Sequence, residues 1–178
     1  LAGQFLTLVL PIGERGQELR RSYSLSSTPL GDEPFVVTVK RIPGGVVSSW
    51  LHDDVQAGAT LRVRGPSGNF TYQPGDAPAH LLLVGGGSGI TPLFGILRTA
   101  LAGNPTVRVT LVFANRAAPD VIFLRALTEL AASEPRLTVH HVLESDDGTL
   151  PCTPGRVTAA TLERALAEHD RKTTRAYV

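Results

Sequence analysis

Cysteine is nearly absent from this sequence, with only Cys152 among 178 residues. A single thiol excludes a disulfide within the chain, and it also excludes an iron–sulfur cluster or zinc site held by cysteines alone. The five histidines lack the i, i+4 spacing of a helical metal pair, and His140 and His141 would point to opposite faces of a strand. We therefore predict no metal site.

A charge excess of one sign and long apolar runs are also missing. Lysine and arginine number 17 against 16 acidic residues, so a net charge of +1 gives no bulk attraction to nucleic acid or to an anionic membrane surface. Apolar runs such as residues 81–84 are far shorter than the roughly 20 residues of a membrane span. No secretory signal is visible at the start. We expect a cytoplasmic protein with no nucleic-acid partner and no membrane span.

Methionine is absent, and the first residue is Leu1. A full open reading frame normally begins with methionine, so we expect a segment of a longer protein. Hydrophobic residues make up 42% and charged residues 19% of the sequence, which is the composition of one ordinary or two small globular domains.

The two halves of the sequence follow different patterns. Short strand-like segments separated by glycine and proline turns fill the first half, which is typical of an antiparallel barrel or sandwich. The second half alternates strands and helices, which is typical of βαβ units on a parallel sheet. We expect strands at 4–9, 19–26, 35–41 and 60–64 and a helix at 47–54, then strands at 80–84, 108–114, 137–143 and 174–178 with helices at 92–102, 120–133 and 158–169. We place the domain boundary between residues 76 and 77, so that the domains are 1–76 and 77–178.

A glycine-rich turn follows the first strand of the second half. Four glycines lie between positions 85 and 89, and Thr91 and Pro92 suit the N-cap and the first position of the next helix. Such a turn brings free backbone N–H groups and the positive end of a helix dipole together. This predicts a dinucleotide pyrophosphate site, although a tight turn without a ligand is the alternative. The turn has no lysine of the Walker type, so nucleotide hydrolysis is not expected.

The end of the next strand bears on the choice of nucleotide. Asn115 and Arg116 stand where many NAD enzymes have an acidic residue, and an arginine suits a 2′-phosphate. This favours NADP over NAD. A solvated loop arginine is the alternative, and Asp120 could instead bind a ribose, so NAD stays possible.

Two elements of the first half could bind a second cofactor. Arg21 and Tyr23 share one face of a predicted strand, where arginine suits a phosphate and tyrosine can stack on a flat ring. Gly45 leads into the predicted short helix with Ser48 in its first turn, which offers another anion cradle. Each pattern alone also fits an ordinary edge strand or helix cap.

Taken in order, these motifs resemble the ferredoxin–NADP reductase superfamily. The closer similarity is to oxygenase-type reductases such as the reductase component of phenylacetyl-CoA epoxidase. The motifs are Arg21-x-Tyr23-Ser24, Gly45-x-x-Ser48-x-x-Leu51, Gly65-Pro66-x-Gly68-x-Phe70 and Gly86-Gly87-x-Gly89-Ile90-Thr91-Pro92.

The resemblance implies a fold of β plus α/β class: an antiparallel, Greek-key flavin-binding β-barrel followed by a parallel-sheet NAD(P)-binding α/β domain. It also implies roles for individual residues. Ser24, near the reactive N5 of the flavin, and Thr91, beside the nicotinamide, are the catalytic candidates. The FAD-binding candidates are Arg21 at a phosphate, Tyr23 at the ring or ribityl chain, Val39 and Lys40 along the ribityl chain, and Gly45, Val46 and Ser48 at the pyrophosphate. The candidates for binding NADP are Gly86, Gly87, Gly89, Thr91, Asn115 and Arg116.

The function that the resemblance implies is an FAD-dependent NAD(P)H reductase. It would pass electrons from NADPH through FAD to a ferredoxin-like iron–sulfur domain or an oxygenase component, with no iron–sulfur cluster in this segment. One alternative is a flavin-carrying relay subunit that does not itself oxidise NAD(P)H, and another is a dehydrogenase without flavin. FMN in place of FAD stays open. Relative to that family, we expect the first barrel strand and a C-terminal Cys-Gly-Pro element to be missing from this segment.

Overall fold

A computed structural model of the chain has an antiparallel β half followed by an α/β half. The structure describes residues 1–13, 17–73, 75 and 78–178. The boundary expected between residues 76 and 77 falls outside the described residues.

The β half is built on a three-stranded antiparallel sheet in the order β2-β1-β3. Its elements are β1 (Phe5–Leu10), β2 (Leu19–Ser24), α1 (Val46–Asp53) and β3 (Arg62–Ser67). Leu8 and Leu10 alternate along β1 and so point to the same side of the sheet, where they pack with Val47 of α1. This small core ties α1 to the sheet.

The α/β half has a five-stranded parallel sheet in the order β7-β6-β5-β4-β8. Its strands are β4 (His80–Gly86), β5 (Arg108–Asn115), β6 (Leu137–Leu143), β7 (Thr153–Pro154) and β8 (Thr174–Tyr177), and its helices are α2 (Ile90–Gly103), α3 (Leu124–Ser133) and α4 (Ala159–Ala165). The central strands β4 and β5 are largely buried because helices cover both faces of the sheet. Leu81 and Leu83 pack toward α2, whereas Leu82 packs toward α4.

The fold class is therefore confirmed, but the strand expected at residues 35–41 is wrong. Only one isolated bridge, between Val37 and Leu25, occurs there. The backbone of Val36 is used differently, since its carbonyl accepts from the Ser26 N–H and its own N–H donates to Ser27 Oγ. Irregular backbone held by these bonds to Ser26 and Ser27 takes the place of the ladder that the sequence pattern favoured.

The expected N-cap role of Thr91 is also wrong. Helix α2 begins at Ile90 with Gly89 as its N-cap, so Thr91 lies inside the first turn. The hydroxyl of Thr91 instead donates to the carbonyl of Ser88 at 3.0 Å. The preceding Gly87–Gly89 segment forms a 3-10 turn that continues directly into the helix.

Two other helices are shorter than expected. Helix α3 begins at Leu124 rather than at residue 120, because Phe123 has a left-handed backbone with φ of 63° after a 3-10 turn at Ala118–Asp120. Helix α4 begins after Thr158, whose hydroxyl caps the N–H of Thr161, and it ends at residue 165 instead of 169.

Helix α2 also joins the two halves. A Cβ atom on Gly95 would lie 3.0 Å from the carbonyl oxygens of both Leu25 and Ser27, so the helix approaches the backbone of the β half very closely. Next to this contact, the Thr99 hydroxyl bonds to that of Thr28 at 3.0 Å. Among residues 1–13, 17–73, 75 and 78–178, no helix has the length and apolar character needed to cross a bilayer.

Candidate functional site

Three neighbouring cavities lie where the two halves meet. We call them the cleft cavity, the strand-edge cavity and the apolar cavity, with volumes of about 510, 390 and 610 Å3. Ser24 borders both the cleft and apolar cavities, Ala114 borders both the apolar and strand-edge cavities, and Lys40 borders both the cleft and strand-edge cavities. The shared walls place the three cavities side by side, and we call them together the crevice.

Both halves line the cleft cavity. Strand β2 and the start of α1 form one wall, and the glycine turn with the first turn of α2 forms the other. The lining residues are Arg21, Ser22, Tyr23, Ser24, Thr38, Lys40, Ile42, Gly45, Val46, Val47, Ser48, Ser88, Gly89, Thr91 and Pro92. A ligand in this cavity would therefore contact both halves at once.

Arg21 is the cation of the cleft cavity that no carboxylate neutralises in the described part of the chain. Its guanidinium donates to the carbonyl of Arg20 at 2.7 Å, which leaves further N–H groups for a ligand. Burial raises the pKa of the neighbouring Tyr23 phenol, with the Arg21 charge opposing this more weakly. Tyr23 therefore stays protonated and can donate a hydrogen bond.

The start of α1 forms a tight turn on the same wall. The Ser48 hydroxyl accepts from the N–H of Ile42 at 3.1 Å, and a Cβ on Gly45 would come within 2.7 Å of the Ser48 Oγ. A side chain at position 45 would therefore have to displace the Ser48 hydroxyl. No side chain caps the helix, so its first backbone N–H groups can donate to an anion.

The glycines of the facing turn have two different structural roles. A Cβ on Gly85 would lie 2.6 Å from Leu93, so this position allows β4 and α2 to pack closely. A Cβ on Gly87 or Gly89 would meet nothing within 4 Å, and Gly87 has a φ of +51°. The turn thus presents open space and bare backbone to the crevice, as a phosphate-binding turn requires.

The strand-edge cavity lies at the C-terminal edge of the parallel sheet. Its lining comes from the ends of β5 and β6, the segment before α4, the glycine turn and the β half: Lys40, Gly87, Ala114, Asn115, Arg116, Glu144, Gly155, Arg156 and Val157. Parallel α/β sheets bind ligands at this edge.

Asn115 gives the clearest sign of a ligand in the strand-edge cavity. The residue is only 8% exposed, yet neither its amide nitrogen nor its amide oxygen has a hydrogen-bond partner. A buried amide without partners costs roughly 1–3 kcal/mol in desolvation. A bound molecule with both donor and acceptor groups would satisfy it.

Charged pairs surround the same cavity. Arg116 contacts the Asp120 carboxylate at 3.0 Å, Lys40 contacts it at 3.5 Å, and Arg156 contacts Glu144 at 2.7 Å. The hydrogen bond from Arg116, with a smaller effect of Lys40, holds the pKa of Asp120 below its usual range. At neutral pH the cavity therefore has three cations and two carboxylates around it.

The apolar cavity fills the space between the glycine turn and the β half. Its walls are mainly aliphatic and aromatic, which suits a flat ring system more than a phosphate. The residues are Gly3, Phe5, Ser24, Phe70, Val84, Gly85, Gly86, Gly89, Pro92, Leu93, Ala114, Val157 and Val178. The Ser24 hydroxyl is the polar side-chain group on this lining.

Most residues predicted from sequence fall on this crevice. Those on the cleft cavity are Arg21, Tyr23, Ser24, Lys40, Gly45, Val46, Ser48, Gly89 and Thr91, those on the strand-edge cavity are Gly87, Asn115 and Arg116, and Gly86 borders the apolar cavity. Val39 borders none of the three, and its carbonyl accepts a hydrogen bond from His52 at 2.9 Å. Their roles toward a cofactor stay predictions.

Other lining residues were not predicted as site residues. Glu144 and Arg156 lie beside Asn115, because parallel strands end at the same edge. That rule would have identified both from the predicted β6 and from the segment before the last helix. Phe5 and Thr38 have no local sequence signal, since only the packing of the halves brings them to the crevice.

Two family models match consecutive parts of the chain. Residues 1–72 match the family described as oxidoreductase FAD-binding domain, and residues 83–178 match oxidoreductase NAD-binding domain. The chain is 48% identical over 154 residues to the ferredoxin reductase component of 3-ketosteroid-9-alpha-monooxygenase from Mycolicibacterium smegmatis, covering 86% of this chain and 42% of that protein. It is 40% identical over 146 residues to the glycine betaine monooxygenase reductase subunit of Chromohalobacter salexigens, covering 82% of this chain and 39% of that one. The chain thus spans about two fifths of the length of these relatives.

A solved structure shows the same fold. The crystal structure of the Amycolatopsis cytochrome P450 reductase GcoB superposes with a TM-score of 0.80 at 32% sequence identity, covering 98% of this chain and 51% of that one. The likeness extends over both halves of the chain.

Proposed function

The chain belongs to the ferredoxin reductase family of oxidoreductases, with FAD-binding and NAD-binding regions in series, and from this premise we propose that it transfers electrons from a reduced nicotinamide dinucleotide through FAD to an iron–sulfur protein or an oxygenase component. The division into domains at residues 76 and 77 is part of the proposal. The gap between the two family matches, at residues 73–82, supports it.

The observation that carries the proposal is the cleft cavity lined by both halves. One wall has Arg21 and the uncapped start of α1, which suit the phosphates of FAD, and the opposite wall has the glycine turn, which suits those of a nicotinamide dinucleotide. Two cofactors bound on facing walls would have their rings in the space between. Holding reacting rings at about 3–3.5 Å is the proximity contribution of such a site.

The residues of the β half fit FAD in chemical type. Arg21 would bind a phosphate, the Gly45–Ser48 turn would donate backbone N–H groups to the pyrophosphate, and Tyr23 would pack on the ring or ribityl chain. Ser24 would donate a hydrogen bond where the cleft and apolar cavities join. When bound, FAD accepts hydride equivalents and releases single electrons, and the protein provides position and electrostatics.

The residues of the α/β half fit a nicotinamide dinucleotide. The open space over Gly87 and Gly89 would admit a pyrophosphate, and the unpartnered amide of Asn115 would bond to a ribose or phosphate group. Thr91 would hold the glycine turn in shape through its bond to Ser88, close to the nicotinamide.

The choice between NADP and NAD depends on Arg116. Its side chain is 74% exposed and can reach a 2′-phosphate, which keeps NADPH as the predicted donor. The Asp120 carboxylate opposes that choice, because a 2′-phosphate must compete with it for the guanidinium. NADH is the alternative donor, with Asp120 available to ribose hydroxyls.

The electron acceptor lies outside these 178 residues in this proposal, since Cys152 alone cannot ligate an iron–sulfur cluster. The similar proteins are named as reductase components of monooxygenases. We therefore propose a ferredoxin-like iron–sulfur domain or an oxygenase component as the partner.

The experiment that tests the function is anaerobic stopped-flow spectroscopy of the FAD-reconstituted chain. Mixing with NADPH or NADH is expected to bleach the visible flavin band. If the chain takes up FAD and dithionite bleaches it while neither nucleotide does, the relay subunit is the correct function. If the chain takes up no FAD, the flavin proposal is wrong.

A further inference from the structure

Two exposed aliphatic side chains lie on the lining of the cleft cavity. Ile42 is 52% exposed and Val46 is 63% exposed, whereas the next residue of α1, Val47, is only 4% exposed. A single exposed aliphatic residue is ordinary on a protein surface. These two, however, lie on either side of the turn that precedes α1, and both border the same cavity. We call Ile42 and Val46 together the aliphatic lip.

The aliphatic lip is held in place by the turn between its two residues. The Gly45 N–H donates to the Ile42 carbonyl at 2.9 Å, and Gly44 between them has the positive φ, 72°, of a type II turn. The Ser48 hydroxyl accepts from the Ile42 N–H on the other side. Isoleucine and valine are also stiff at χ1 because they branch at Cβ. A ligand that packs on the lip therefore has little protein motion to freeze.

The surroundings of the aliphatic lip favour an uncharged ligand group. Arg41 precedes Ile42 in the chain, but its guanidinium contacts both carboxylate oxygens of Asp53, at 2.6 and 2.7 Å, and does not border the cleft cavity. A phosphate at the lip would therefore face aliphatic groups and an arginine that already has a partner. A flat, uncharged ring can instead remove the exposed aliphatic surface from water.

The place of the aliphatic lip in the cleft indicates which ring this is. Ser24 lies on the wall shared with the apolar cavity, which suits the isoalloxazine ring, and the Gly45–Ser48 turn suits the pyrophosphate. The lip flanks that turn and borders the cleft cavity but not the apolar cavity. In FAD the group beyond the pyrophosphate is adenosine, whereas FMN ends at its single phosphate. Only FAD has a ring that can reach the lip while its isoalloxazine lies near Ser24.

We propose that the aliphatic lip of Ile42 and Val46 binds the adenine of FAD, and that this contact makes the chain select FAD over FMN. The inference rests on the proposed function and deepens it at the same cleft. The lip contributes packing area and no side-chain hydrogen bonds. It therefore recognises the presence of a flat base without reading the polar edge of that base.

Titration of the flavin-free chain with FAD and, separately, with FMN tests this assignment, with binding followed by flavin fluorescence. We expect the unmodified chain to bind FAD at least about tenfold more tightly than FMN. Ile42→Thr and Val46→Thr keep a β-branched side chain but place a hydroxyl on the lip. Each should weaken FAD binding about threefold and the double variant about tenfold, while the dissociation constant of FMN stays within about twofold.

The matched control is Val63→Thr. Val63 is 46% exposed on β3 and borders none of the three cavities, so this change should leave both dissociation constants within about twofold. The FMN affinity of each lip variant shows whether the rest of the flavin site is intact. If a threonine variant does not fold, the alanine variant at the same position takes its place.

The outcomes separate the aliphatic lip from the proposed function. Equal affinities of the unmodified chain for FAD and FMN would overturn the lip alone, because the adenosine half of FAD would then gain nothing. The same conclusion follows if the double variant loses affinity for both flavins equally or for neither. Failure of the unmodified chain to bind either flavin overturns the flavin site and the lip together.

Discussion

His80 and His169 stack face to face, with ring centroids 3.6 Å apart and planes 6° from parallel. His80 is 2% exposed, and its two ring nitrogens bond to the hydroxyls of Thr174 at 3.0 Å and Thr110 at 2.9 Å. Burial, followed by the charge of His169, lowers the pKa of His80 to about 4. The strand ends at this side of the parallel sheet therefore meet around a neutral imidazole.

From the lowered pKa of His80, we predict that the folded chain loses stability in mild acid. The unfolded chain binds a proton near the ordinary histidine pKa of 6.5, whereas the folded chain does not until about pH 4. Between these values the unfolded state binds more protons, so the free energy of unfolding falls as the pH falls, by up to about 3 kcal/mol. Urea unfolding at pH 7, 6 and 5 measures the effect.

Variants on the same strand test the assignment to His80. His80→Gln should flatten the pH dependence, although burial also lowers the pKa values of His140 and His141, which add a smaller slope of the same sign. Leu82→Val should reduce stability equally at each pH because it removes a buried methylene and no titratable group. Equal slopes in the His80→Gln and unmodified chains would contradict the prediction.

A second prediction concerns the joint between the halves at Gly95. Alanine normally stabilises a helix interior relative to glycine by about 1 kcal/mol. Here the added methyl would press on the carbonyl oxygens of Leu25 and Ser27 at 3.0 Å, and backbone atoms move less readily than side-chain ends. We expect Gly95→Ala to destabilise the chain by about 1–3 kcal/mol, measured by thermal unfolding. The control is Gly75→Ala, where the new Cβ meets nothing within 4 Å. If the Gly95→Ala chain were as stable as the Gly75→Ala chain, that result would contradict the close contact at Gly95.

Arg21→Ala is predicted to weaken FAD binding about 10- to 100-fold, because it removes a charge-assisted bond worth roughly 1.5–3 kcal/mol. The ratio of flavin to protein after gel filtration measures retention. Arg20→Ala is the matched control, since Arg20 precedes Arg21 on β2, pairs with Glu18 at 3.6 Å and does not border the cleft cavity. Unchanged flavin stoichiometry in Arg21→Ala would remove this residue from the site.

Much of this architecture could be predicted from sequence, because the decisive signals are local. The strand at 137–143 was predicted with its observed bounds, and the glycine turn was recognised from consecutive residues. Segments whose conformation depends on distant partners were missed. Residues 35–41 have the composition of a strand but bond to serines of the preceding turn, and Phe123 adopts a left-handed backbone while stacking on Phe94 at 4.2 Å.

In the candidate site too, only the residues with a local sequence signal could be predicted. Arg21, Gly45 and the glycine turn were predicted because each motif is short. The contact between Lys40 and Asp120 joins residues 80 positions apart, and no pattern along the chain marks it. The closed surroundings of Asn115 likewise arise only when β5, β6 and the segment before α4 end at one edge.

Arg116→Ala is predicted to lower the affinity for NADPH more than that for NADH, by about tenfold in the ratio, since only NADPH has a 2′-phosphate for the guanidinium. Dissociation constants of both nucleotides for the FAD-loaded chain give the ratio. Arg125→Ala removes another exposed arginine with an i,i+4 ion pair, to Glu129 on α3, and should leave the ratio unchanged. A parallel loss of both affinities in Arg116→Ala would make Arg116 a general surface charge.

Asn115 allows a test in which stability and binding change in opposite directions. Leucine is close to asparagine in shape but has no polar atoms, so Asn115→Leu removes the two unpartnered buried groups of the free chain. Removing such groups relieves a desolvation cost of about 1–3 kcal/mol, and the melting temperature of the nucleotide-free chain should rise or stay equal. The stabilisation that NADPH or NADH adds should shrink, because the nucleotide loses a donor and an acceptor.

The two melting temperatures of Asn115→Leu, without and with saturating nucleotide, separate a ligand-binding amide from a structural one. A residue that only supports the fold would lower the first value and leave the difference between them unchanged. A residue kept for binding raises or preserves the first value and reduces the difference. A less stable free chain with full nucleotide stabilisation would therefore show that the Asn115 amide has a partner within the protein and none in the ligand.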